Sequence, residues 1–344
     1  MDTPTSFSNH PDDNPDDAHC APRLADIYTP FACTEAMDLP AAVPTWTVEF
    51  SQLSPGHLIA QGGVVTLGCA SISRFTIDQT LQHVGSPPRG STGILIPGVG
   101  SREAFALGRQ LAPGQCVTVA DGSWLDAITR DRYVDLALAV DSDVWTSQSH
   151  WLDGSVLTSS RGARIQNPGP HWISRMQGIV DWIFMSIERH PQSMVRAEVQ
   201  GSITDLLLLA LSDVGNAGDA AHYSRQERMH QRLAVERARE YIQAKLSEPL
   251  RLSELCRHAR VHARSLEYGF REVTGLSPIA YVKSLRLNAV RKALSRRSAS
   301  QRSITEIALD QGFWHLSQFA VDYRKLFGEA PSWTRKRTLA RHAH

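Results

Sequence analysis

The C-terminal third of the sequence contains one short arrangement twice, and each copy is a short helix, a tight turn and a longer helix. In the first copy, Leu266 and Phe270 stand four residues apart, which places them on one face of a helix predicted over residues 263–273. Gly275 follows as a helix-ending residue, and Ser253 is expected to cap the shorter helix before the turn. This pattern predicts a compact helix-turn-helix unit.

The second copy begins about fifty residues after the first. Ser303 and Glu306 have the spacing of a capping box, in which each side chain accepts a hydrogen bond from the backbone N–H of the other residue. Gly312 permits a tight turn, and the helix predicted over residues 314–327 carries Phe, Tyr and Phe at intervals of four. The chain is therefore expected to contain two helix-turn-helix units in tandem.

A long helix is predicted between the two units. Ser277 and Pro278 are the residue types of a helix cap and a first helical position, and the helix should run to about Ser295. At ~1.5 Å per residue, roughly 18 residues span ~27 Å, which is comparable to the ~34 Å between successive major grooves on one face of DNA. A rigid connector of this length would let one chain reach two adjacent grooves. Its basic residues are expected to contact the DNA backbone: Lys283, Arg286, Arg291, Lys292, Arg296 and Arg297.

Formal charge is distributed unevenly along the 344 residues. Residues 221–344 contain 24 Lys and Arg against 11 Asp and Glu, a charge of +13, whereas residues 1–220 contain 12 against 24, a charge of −12. A basic segment of this size is typical of polyanion binding, because each Lys or Arg that meets a phosphate releases condensed counterions. A basic surface that is merely solvated is the alternative that charge alone leaves open.

The acidic part of the chain predicts a β domain followed by helices. Residues 1–25 are rich in Pro, Asp, Asn and Ser and are expected to be disordered. Short apolar runs at residues 64–67 and 94–96, separated by Pro-Gly, Gly-Gly and Asp-Gly turns, indicate a small barrel or jelly roll. Two apolar helices between about residues 171 and 212 need a covering partner, which is either their own barrel or a second copy of the chain.

These patterns divide the chain into an acidic domain of β structure and helices over residues 26–212, which is expected to dimerise, a linker and a DNA-binding domain. The linker is expected at residues 213–230, where small and polar residues replace the apolar pattern and the charge changes sign. The DNA-binding domain is expected over residues 231–338.

Residues 233–337 resemble the AraC/XylS family of transcription regulators. The resemblance lies in YIQAKLSEPLRLSELCRHARVHARSLEYGFREVTGLSPIAYVKSLRLNAVRKAL and in ITEIALDQGFWHLSQFAVDYRKLFGEAPS. Within the family, FWHLSQFA, the preceding RLNAVRKAL and the N-terminal LSPGHLIAQGGVVTLG are similar to the ethanolamine-utilisation regulators. The resemblance implies an α+β multidomain protein, with an N-terminal cupin-like β-barrel and two helices before an all-α domain of two helix-turn-helix units. It implies that residues 26–212 are a sensory as well as a dimerisation domain. It also implies double-stranded DNA and RNA polymerase as partners, and a small-molecule effector that makes the protein an activator.

In this family the second helix of each unit enters the major groove. The resemblance implies DNA contacts from His262, Ala263, Arg264, Glu267, Tyr268 and Arg271 in the first unit, and from Trp314, His315, Ser317, Gln318, Val321 and Arg324 in the second. Arg264 is expected to pair with guanine and Gln318 with adenine. Glu267 is expected to accept from cytosine, and Val321 to meet a thymine methyl group.

At three of these positions an observation speaks against the implied DNA contact. Tyr268 and His315 depart from the family's commoner Arg and Ser. Trp314 is a large aromatic residue beside a turn, and such a residue packs against the protein more often than it contacts DNA.

Two alternatives to an effector-responsive regulator remain open. A constitutive DNA-binding protein without ligand control would contain the same helical units. A cupin-type metalloenzyme would need a closely spaced pair of histidines, whereas His57, His83, His150 and His171 stand far apart. We therefore predict no enzymatic activity, no metal and no cofactor. Because no apolar run approaches the ~20 residues of a membrane span and the five cysteines are scattered, we expect a cytoplasmic protein with reduced thiols.

Overall fold

The computed structural model of the chain describes residues 23–101, 103–145, 162–215, 226–296 and 302–341. Three predicted features therefore fall wholly or mainly outside the described residues: the disordered N-terminal segment, the centre of the linker and Arg297. No helix of these ranges combines the length and apolar character needed to cross a bilayer.

The N-terminal part is a β domain of two antiparallel sheets. Its described strands are β1 (Tyr28–Cys33), β2 (Thr47–Gln52), β3 (Ala60–Leu67), β4 (Ala70–Ile77), β5 (Leu81–Ser86), β6 (Ser91–Pro97), β7 (Ala104–Ala106), β8 (Arg109–Gln110), β9 (Cys116–Val119), β10 (Leu125–Thr129), β11 (Tyr133–Asp141) and β12 (Ala163–Gln166). The seven-stranded sheet has the order β1-β3-β4-β11-β6-β9-β12, and the five-stranded sheet the order β2-β5-β10-β7-β8. The apolar runs at residues 64–67 and 94–96 lie in β3 and β6, as predicted.

Neither sheet closes on itself among the described strands, since β1, β12, β2 and β8 each pair with a single neighbour. Of the barrel and the jelly roll that the sequence left open, the barrel is not confirmed, because the described strands form two open sheets that face each other. Phe50 of β2, Phe75 of β4 and Ala137 of β11 share one buried apolar cluster between them. Alternating apolar residues predict strands, but closure depends on tilt and register between distant strands, which the local pattern does not contain.

Helices cover the outer face of the seven-stranded sheet. The helices of the β domain are α1 (Leu24–Ile27), α2 (Leu39–Ala42), α3 (Pro170–Arg189), α4 (Pro191–Met194) and α5 (Ala197–Gly215). Val180 and Ile183 of α3 are fully buried in one core with Ile72 of β4 and Leu138 of β11. Of the two covering partners that the sequence left open, the chain's own sheet takes this role.

The C-terminal part is helical throughout its described residues and consists of α6 (Gln226–Ala244), α7 (Leu252–Ala259), α8 (Ala263–Thr274), α9 (Pro278–Leu294), α10 (Ile304–Asp310), α11 (Leu316–Phe327) and α12 (Pro331–Arg341). We call α7 and α8 the first unit and α10 and α11 the second unit. The predicted pair of helix-turn-helix units is confirmed in the order and position expected. Because α5 ends at Gly215 and α6 begins at Gln226, both ends of the predicted linker are helical.

The connecting helix α9 belongs to two cores at once. Its N-terminal half places Tyr281 and Leu285 in the core of the first unit, and its C-terminal half places Leu287, Val290 and Leu294 in the core of the second. Its 17 residues span ~26 Å at ~1.5 Å per residue. A single rigid element therefore links the two units.

Helix caps explain where three of these helices begin. Ser277 accepts a hydrogen bond from the backbone N–H of Ala280, and Ser303 accepts one from the backbone N–H of Glu306. The Glu306 carboxylate in turn accepts a hydrogen bond from the backbone N–H of Ser303. These caps agree with the sequence. The prediction for Ser253 is wrong, because the N-cap of α7 is Arg251, two residues earlier, and the Glu254 carboxylate accepts from the backbone N–H of Arg251.

Candidate DNA interface

The helices α8 and α11 occupy equivalent places in the two units, and we call them the reader helices. In α8 the apolar residues Leu266 and Phe270 are fully buried, as the four-residue spacing predicted. The opposite face carries the predicted DNA contacts, all of them exposed except half-buried Glu267: His262, Ala263, Arg264, Glu267, Tyr268 and Arg271. Tyr268 keeps 64% of its surface exposed, so this face of the unit is open to a partner.

The second reader helix has the same division into two faces. Phe319, Tyr323 and Phe327 pack inwards, with neighbouring ring centroids 5.8 and 4.7 Å apart. The residues predicted to contact DNA are all exposed: Trp314, His315, Ser317, Gln318, Val321 and Arg324. Trp314 is 71% exposed and so does not pack against the protein, contrary to the competing interpretation of this position.

Neighbouring side chains orient part of this face. The Gln318 amide Nε2 donates to the Asp322 carboxylate at 3.3 Å, one helical turn away, and Lys283 of α9 forms an ion pair with the same carboxylate at 3.0 Å. Only one N–H of the Gln318 amide is used in this way. Its second N–H and its carbonyl oxygen remain available for the two-bond contact that an adenine edge requires.

The helical region is similar to known proteins over residues 255–337, which match a family model described as a helix-turn-helix domain. The XylDLEGF operon transcriptional activator 3 of Pseudomonas putida is 27% identical over 251 residues, which cover 71% of both chains. The XylDLEGF operon transcriptional activator 2 of the same species is 41% identical over 97 residues, or 28% of this chain and 62% of that relative. A probable AraC family transcriptional regulator from Rhodopseudomonas palustris, known from its crystal structure, is 36% identical over 30% of this chain and 96% of that one, with a TM-score of 0.29.

The C-terminal domain is an AraC-family helix-turn-helix domain. The family resemblance seen in the sequence is thereby confirmed for this domain. The chain spans less than two thirds of the second relative, and its β domain lies outside the match to the family model.

The basic residues of α9 do not form the DNA-facing surface that their number suggested. Arg286 of the AraC-family domain donates to the backbone carbonyls of Leu246 and Glu248, and burial lowers the pKa of its guanidinium. Arg291 is about nine-tenths buried and pairs with Glu35 and Glu329. The prediction of DNA backbone contacts is therefore wrong for Arg286 and Arg291.

The other basic residues of α9 have different surroundings. Lys283 pairs with Asp322, and half-exposed Lys292 pairs with Glu49 of the β domain at 2.7 Å. Arg296 is exposed beyond the end of the helix. The count of basic residues predicted a charged helix, but it did not show which of its faces other parts of the chain cover.

The contacts between the β domain and the AraC-family domain were not anticipated from the sequence. Glu35 accepts hydrogen bonds from Arg291 and Arg337, and Glu329 accepts from the same two arginines, which makes a cluster of two acidic and two basic residues. We call these four residues the ionic cluster. Glu35 belongs to the β domain and is 5% exposed, so the cluster joins the two domains in a buried setting.

A second buried set of polar contacts joins the β domain to α6 and α9. Asp126 of the β domain binds the guanidinium of Arg239, which is 3% exposed. The Tyr281 hydroxyl donates to Gln82 of β5 at 2.7 Å and accepts from Arg239 at 3.2 Å. No sequence motif indicated these pairs, because their members are far apart along the chain. The separation is 113 residues for Asp126 and Arg239, 199 for Gln82 and Tyr281, and 42 for Arg239 and Tyr281.

The described residues of the β domain line a cavity between its two sheets and another beside the AraC-family domain. One, of about 30 Å³, lies between the two sheets and is lined by Phe50, Phe75, His83 and Asp135 among others. The other, of about 500 Å³, lies between the β domain and the AraC-family domain. Its lining combines apolar and polar side chains from both domains, including Met37, Phe50, Gln52, Leu285, Asn288 and Arg291.

Proposed function

We propose that the protein is a sequence-specific DNA-binding transcription regulator that activates transcription and reads two successive major grooves. The observation that carries this proposal is the pair of reader helices, each with an exposed polar face, at the two ends of one connecting helix of ~26 Å. That length is comparable to the ~34 Å between successive grooves on one side of DNA. The activator role follows the relatives, which are named as operon activators. RNA polymerase is the partner that such a role requires.

The base contacts are proposed from the exposed residues of each reader. Arg264 pairs with O6 and N7 of guanine, and Glu267 accepts from N4 of cytosine. Gln318 contacts adenine through the amide groups that Asp322 leaves available, and Val321 meets a thymine methyl group. His262, Tyr268, Arg271, His315, Ser317 and Arg324 contact the phosphate backbone around them.

Selection of bound sequences from random duplex DNA by the full-length protein tests this function. We expect two short motifs to be enriched, with centres about one helical turn apart, or ~10 base pairs. Enrichment of no motif by a folded protein would contradict the proposal, because non-specific binding to phosphates enriches none.

We further propose that a small-molecule effector binds in the cavity between the domains. Ligand sites for small organic molecules usually measure ~300 to 1,000 Å³. The cavity of about 500 Å³ between the domains falls within this range, whereas the cavity of about 30 Å³ inside the β domain has room for little more than one water molecule. The cupin-like fold that the family resemblance implies for the β domain is compatible with an effector bound at this location.

The effector class is tested by repeating the selection with a panel of small amines and carboxylates. Ethanolamine belongs in the panel because FWHLSQFA and LSPGHLIAQGGVVTLG resemble ethanolamine-utilisation regulators. An effector that raises enrichment must bind the DNA-competent conformation more tightly than the other one. Equal enrichment with every compound would favour the alternative of a constitutive DNA-binding protein.

A second copy of the chain is the proposed dimerisation partner. Helices α3 and α5 keep four large apolar side chains exposed on the side away from the sheet: Trp182, Met185, Leu206 and Leu209. Leu209 is 68% exposed, an unfavourable state for a leucine on a solvent-facing helix. Sedimentation of the full-length protein and of Leu209→Glu distinguishes a dimer through this face from a monomer.

A further inference from the structure

The β domain contacts the C-terminal end of the first reader helix. Arg130, in the turn after β10, donates through Nη2 to the backbone carbonyl of Glu272 at 2.7 Å and, at 3.4 Å, to that of Arg271. The last carbonyls of a helix have no partner within the helix, and a cation there also complements the helix dipole. Arg130 therefore fixes the end of α8 that lies away from its N-terminal, DNA-facing residues.

The backbone of α8 is adapted to this contact. Gly275 ends the helix with a φ of +77°, a conformation that favours glycine. A Cβ atom at this position would lie 2.4 Å from Nη1 of Arg130. Glycine therefore suits the turn of the backbone, and a side chain at this position would have to displace the Arg130 guanidinium.

The second reader helix is held at its C-terminal end in the same way. The Gln52 side chain at the end of β2 donates to the Leu326 carbonyl at 2.9 Å, and the backbone N–H of Gly56 donates to the same carbonyl at 3.0 Å. Gly328 ends the helix with a φ of +75°, and a Cβ atom there would lie 2.5 Å from His57. Each reader helix therefore ends in a glycine against which a β-domain side chain is packed.

The connecting helix is fixed by the same strand. Asn288 of α9 accepts from the backbone N–H of Gln52 at 2.9 Å and donates to its backbone carbonyl at 2.8 Å. This reciprocal pair resembles one rung of a β ladder, with an amide side chain in place of the second strand. Residue Gln52 thus contacts both α9 and α11.

We propose that the β domain, together with the connecting helix α9, sets the distance and rotation between the two reader helices, with Arg130 and Gln52 as positioning residues for DNA recognition. Neither residue lies on a reading face, since both act at the helix ends opposite to the exposed N-terminal residues. The inference rests on the proposed function, because it assumes that both readers engage one DNA duplex.

The consequence is a strict spacing between the two halves of the DNA site. One additional base pair moves the second half by ~3.4 Å and rotates it by about 34° around the duplex. Readers in a fixed arrangement cannot follow this change without losing one set of contacts, whereas loosely held readers can. The effect of linking two binding modules depends on this geometry and disappears when both cannot bind at once.

The experiment uses the full-length protein and the two motifs that it selects. Dissociation constants are measured for duplexes in which the motifs are separated by the preferred spacing and by one or two base pairs more or fewer. For the wild type we expect a loss of at least about tenfold per base pair of displacement. In Arg130→Ala and Gln52→Ala the loss should fall to about threefold or less.

Matched controls separate positioning from charge and folding. Arg89→Ala removes an exposed arginine, and Gln61→Ala an exposed glutamine, from the same β domain, and both should keep the wild-type spacing profile. Because Gln52 is buried, its replacement could destabilise the fold, and thermal unfolding of each variant is therefore measured in parallel. Arg130 is only partly buried, so Arg130→Ala tests the same inference with less effect on folding.

The outcomes distinguish the inference from the function beneath it. If the wild type enriches no pair of motifs, the proposed function fails. If it does, but folded Arg130→Ala and Gln52→Ala keep the sharp spacing profile, only the positioning role is overturned. The positioning role is also overturned if the variants lose affinity by the same factor at every spacing, or if they bind more tightly at the preferred spacing. Neither result would reflect a loss of alignment between the two reader helices.

Discussion

The first helix-turn-helix unit shares an apolar core with the β domain in addition to polar contacts, whereas the second unit is joined to it by ionic and hydrogen-bonded contacts without such a shared core. Leu53, Phe105 and Ile128 of the β domain lie in one buried cluster with Phe270 and Tyr281. The corresponding cluster of the second unit contains no β-domain residue among those that the structure describes. Its attachment includes the ionic cluster, the bonds from Gln52 and Gly56 to Leu326, and the packing of His57 against Gly328.

The difference separates a permanent attachment from an adjustable one. Apolar burial has no preferred direction and does not respond to protonation. Ionic and hydrogen-bonded contacts need their partners in place, and they change with pH and with ligands that compete for the same groups. The cavity between the domains is lined by Gln52, Asn288 and Arg291, so an effector there would act on the attachment of the second unit.

The largest expected effect is that of Ile128→Ala, which tests whether the first unit and the β domain form one core. Ile128 is fully buried, and removing its side chain should lower the free energy of unfolding by about 4 kcal/mol. Denaturant unfolding followed by circular dichroism should show one shared transition moving to lower denaturant. As a control, Ile279→Ala at a position that is 46% exposed should cost less than about 1 kcal/mol. An early transition of the β domain alone would contradict a shared core.

Glu35→Gln tests the ionic attachment of the second unit. The substitution leaves two arginines facing one carboxylate in a buried setting, and it should lower the free energy of unfolding by about 3 kcal/mol. This value is at the lower end for a broken buried ion pair because the Arg337 side chain is about a third exposed. Hydrogen exchange should accelerate in α11 more than in α8. Glu49→Gln breaks only the exposed pair with Lys292 and should cost about 0.5 kcal/mol or less. Equal acceleration in both reader helices would remove the distinction between the units.

The third prediction compares the reading faces themselves. Arg264→Ala should weaken specific DNA binding by about 2 kcal/mol and relax the preference at one base pair of the first half-site. Gln318→Ala should have the same kind of effect in the second half-site only. Affinities for single-base variants of the selected site measure both, with Arg89→Ala as the neutral control. A uniform loss across all sequences would mean that the residue contacts phosphate and not a base.

The smallest expected effect is a pH dependence that belongs to the second unit. Burial acts to raise the pKa of Glu329, but hydrogen bonds from Arg337 and Thr334 and the charge of Arg291 outweigh it, so the pKa lies below its ordinary value. A lowered pKa means that the carboxylate stabilises the folded state fully above the ordinary glutamate value of about 4.3. This stabilisation is lost as the pH falls through the folded pKa.

The comparison of wild type with Glu329→Gln measures this dependence. The stability advantage of the wild type in urea unfolding should be constant near neutral pH and shrink as the pH falls below about 4. An advantage that stays constant to pH 3 would show that the Glu329 carboxylate does not stabilise the second unit through its charge.

Local signals were sufficient to predict the helical domain. Ser277 and Ser303 cap the helices that the sequence assigned to them, and Gly275 ends α8 within one residue of the predicted end. These features depend on residues three or four apart, and so a short stretch of sequence is enough to reveal them. The base contacts of the reader helices stay predictions.

Features that depend on distant residues were not predictable. The sequence showed that α9 is basic, but not that Arg291 would meet Glu35, which stands 256 residues away. It gave no sign that Arg130 would bind the end of α8, because an arginine in a loop between strands is ordinarily solvated. The two open sheets in place of a closed barrel have the same origin in long-range packing.

The three β-domain side chains in the first core also limit how this AraC-family domain can be moved between proteins. A chimaera that joins residues 226–341 to a foreign sensor would leave the surface vacated by Leu53, Phe105 and Ile128 in contact with water. Burying an apolar side chain of this size contributes about 1.5 to 3 kcal/mol, so three together approach the whole stability of a small domain. A functional graft therefore needs a sensor that supplies equivalent side chains, and the unit of modular exchange extends beyond the boundary visible along the chain.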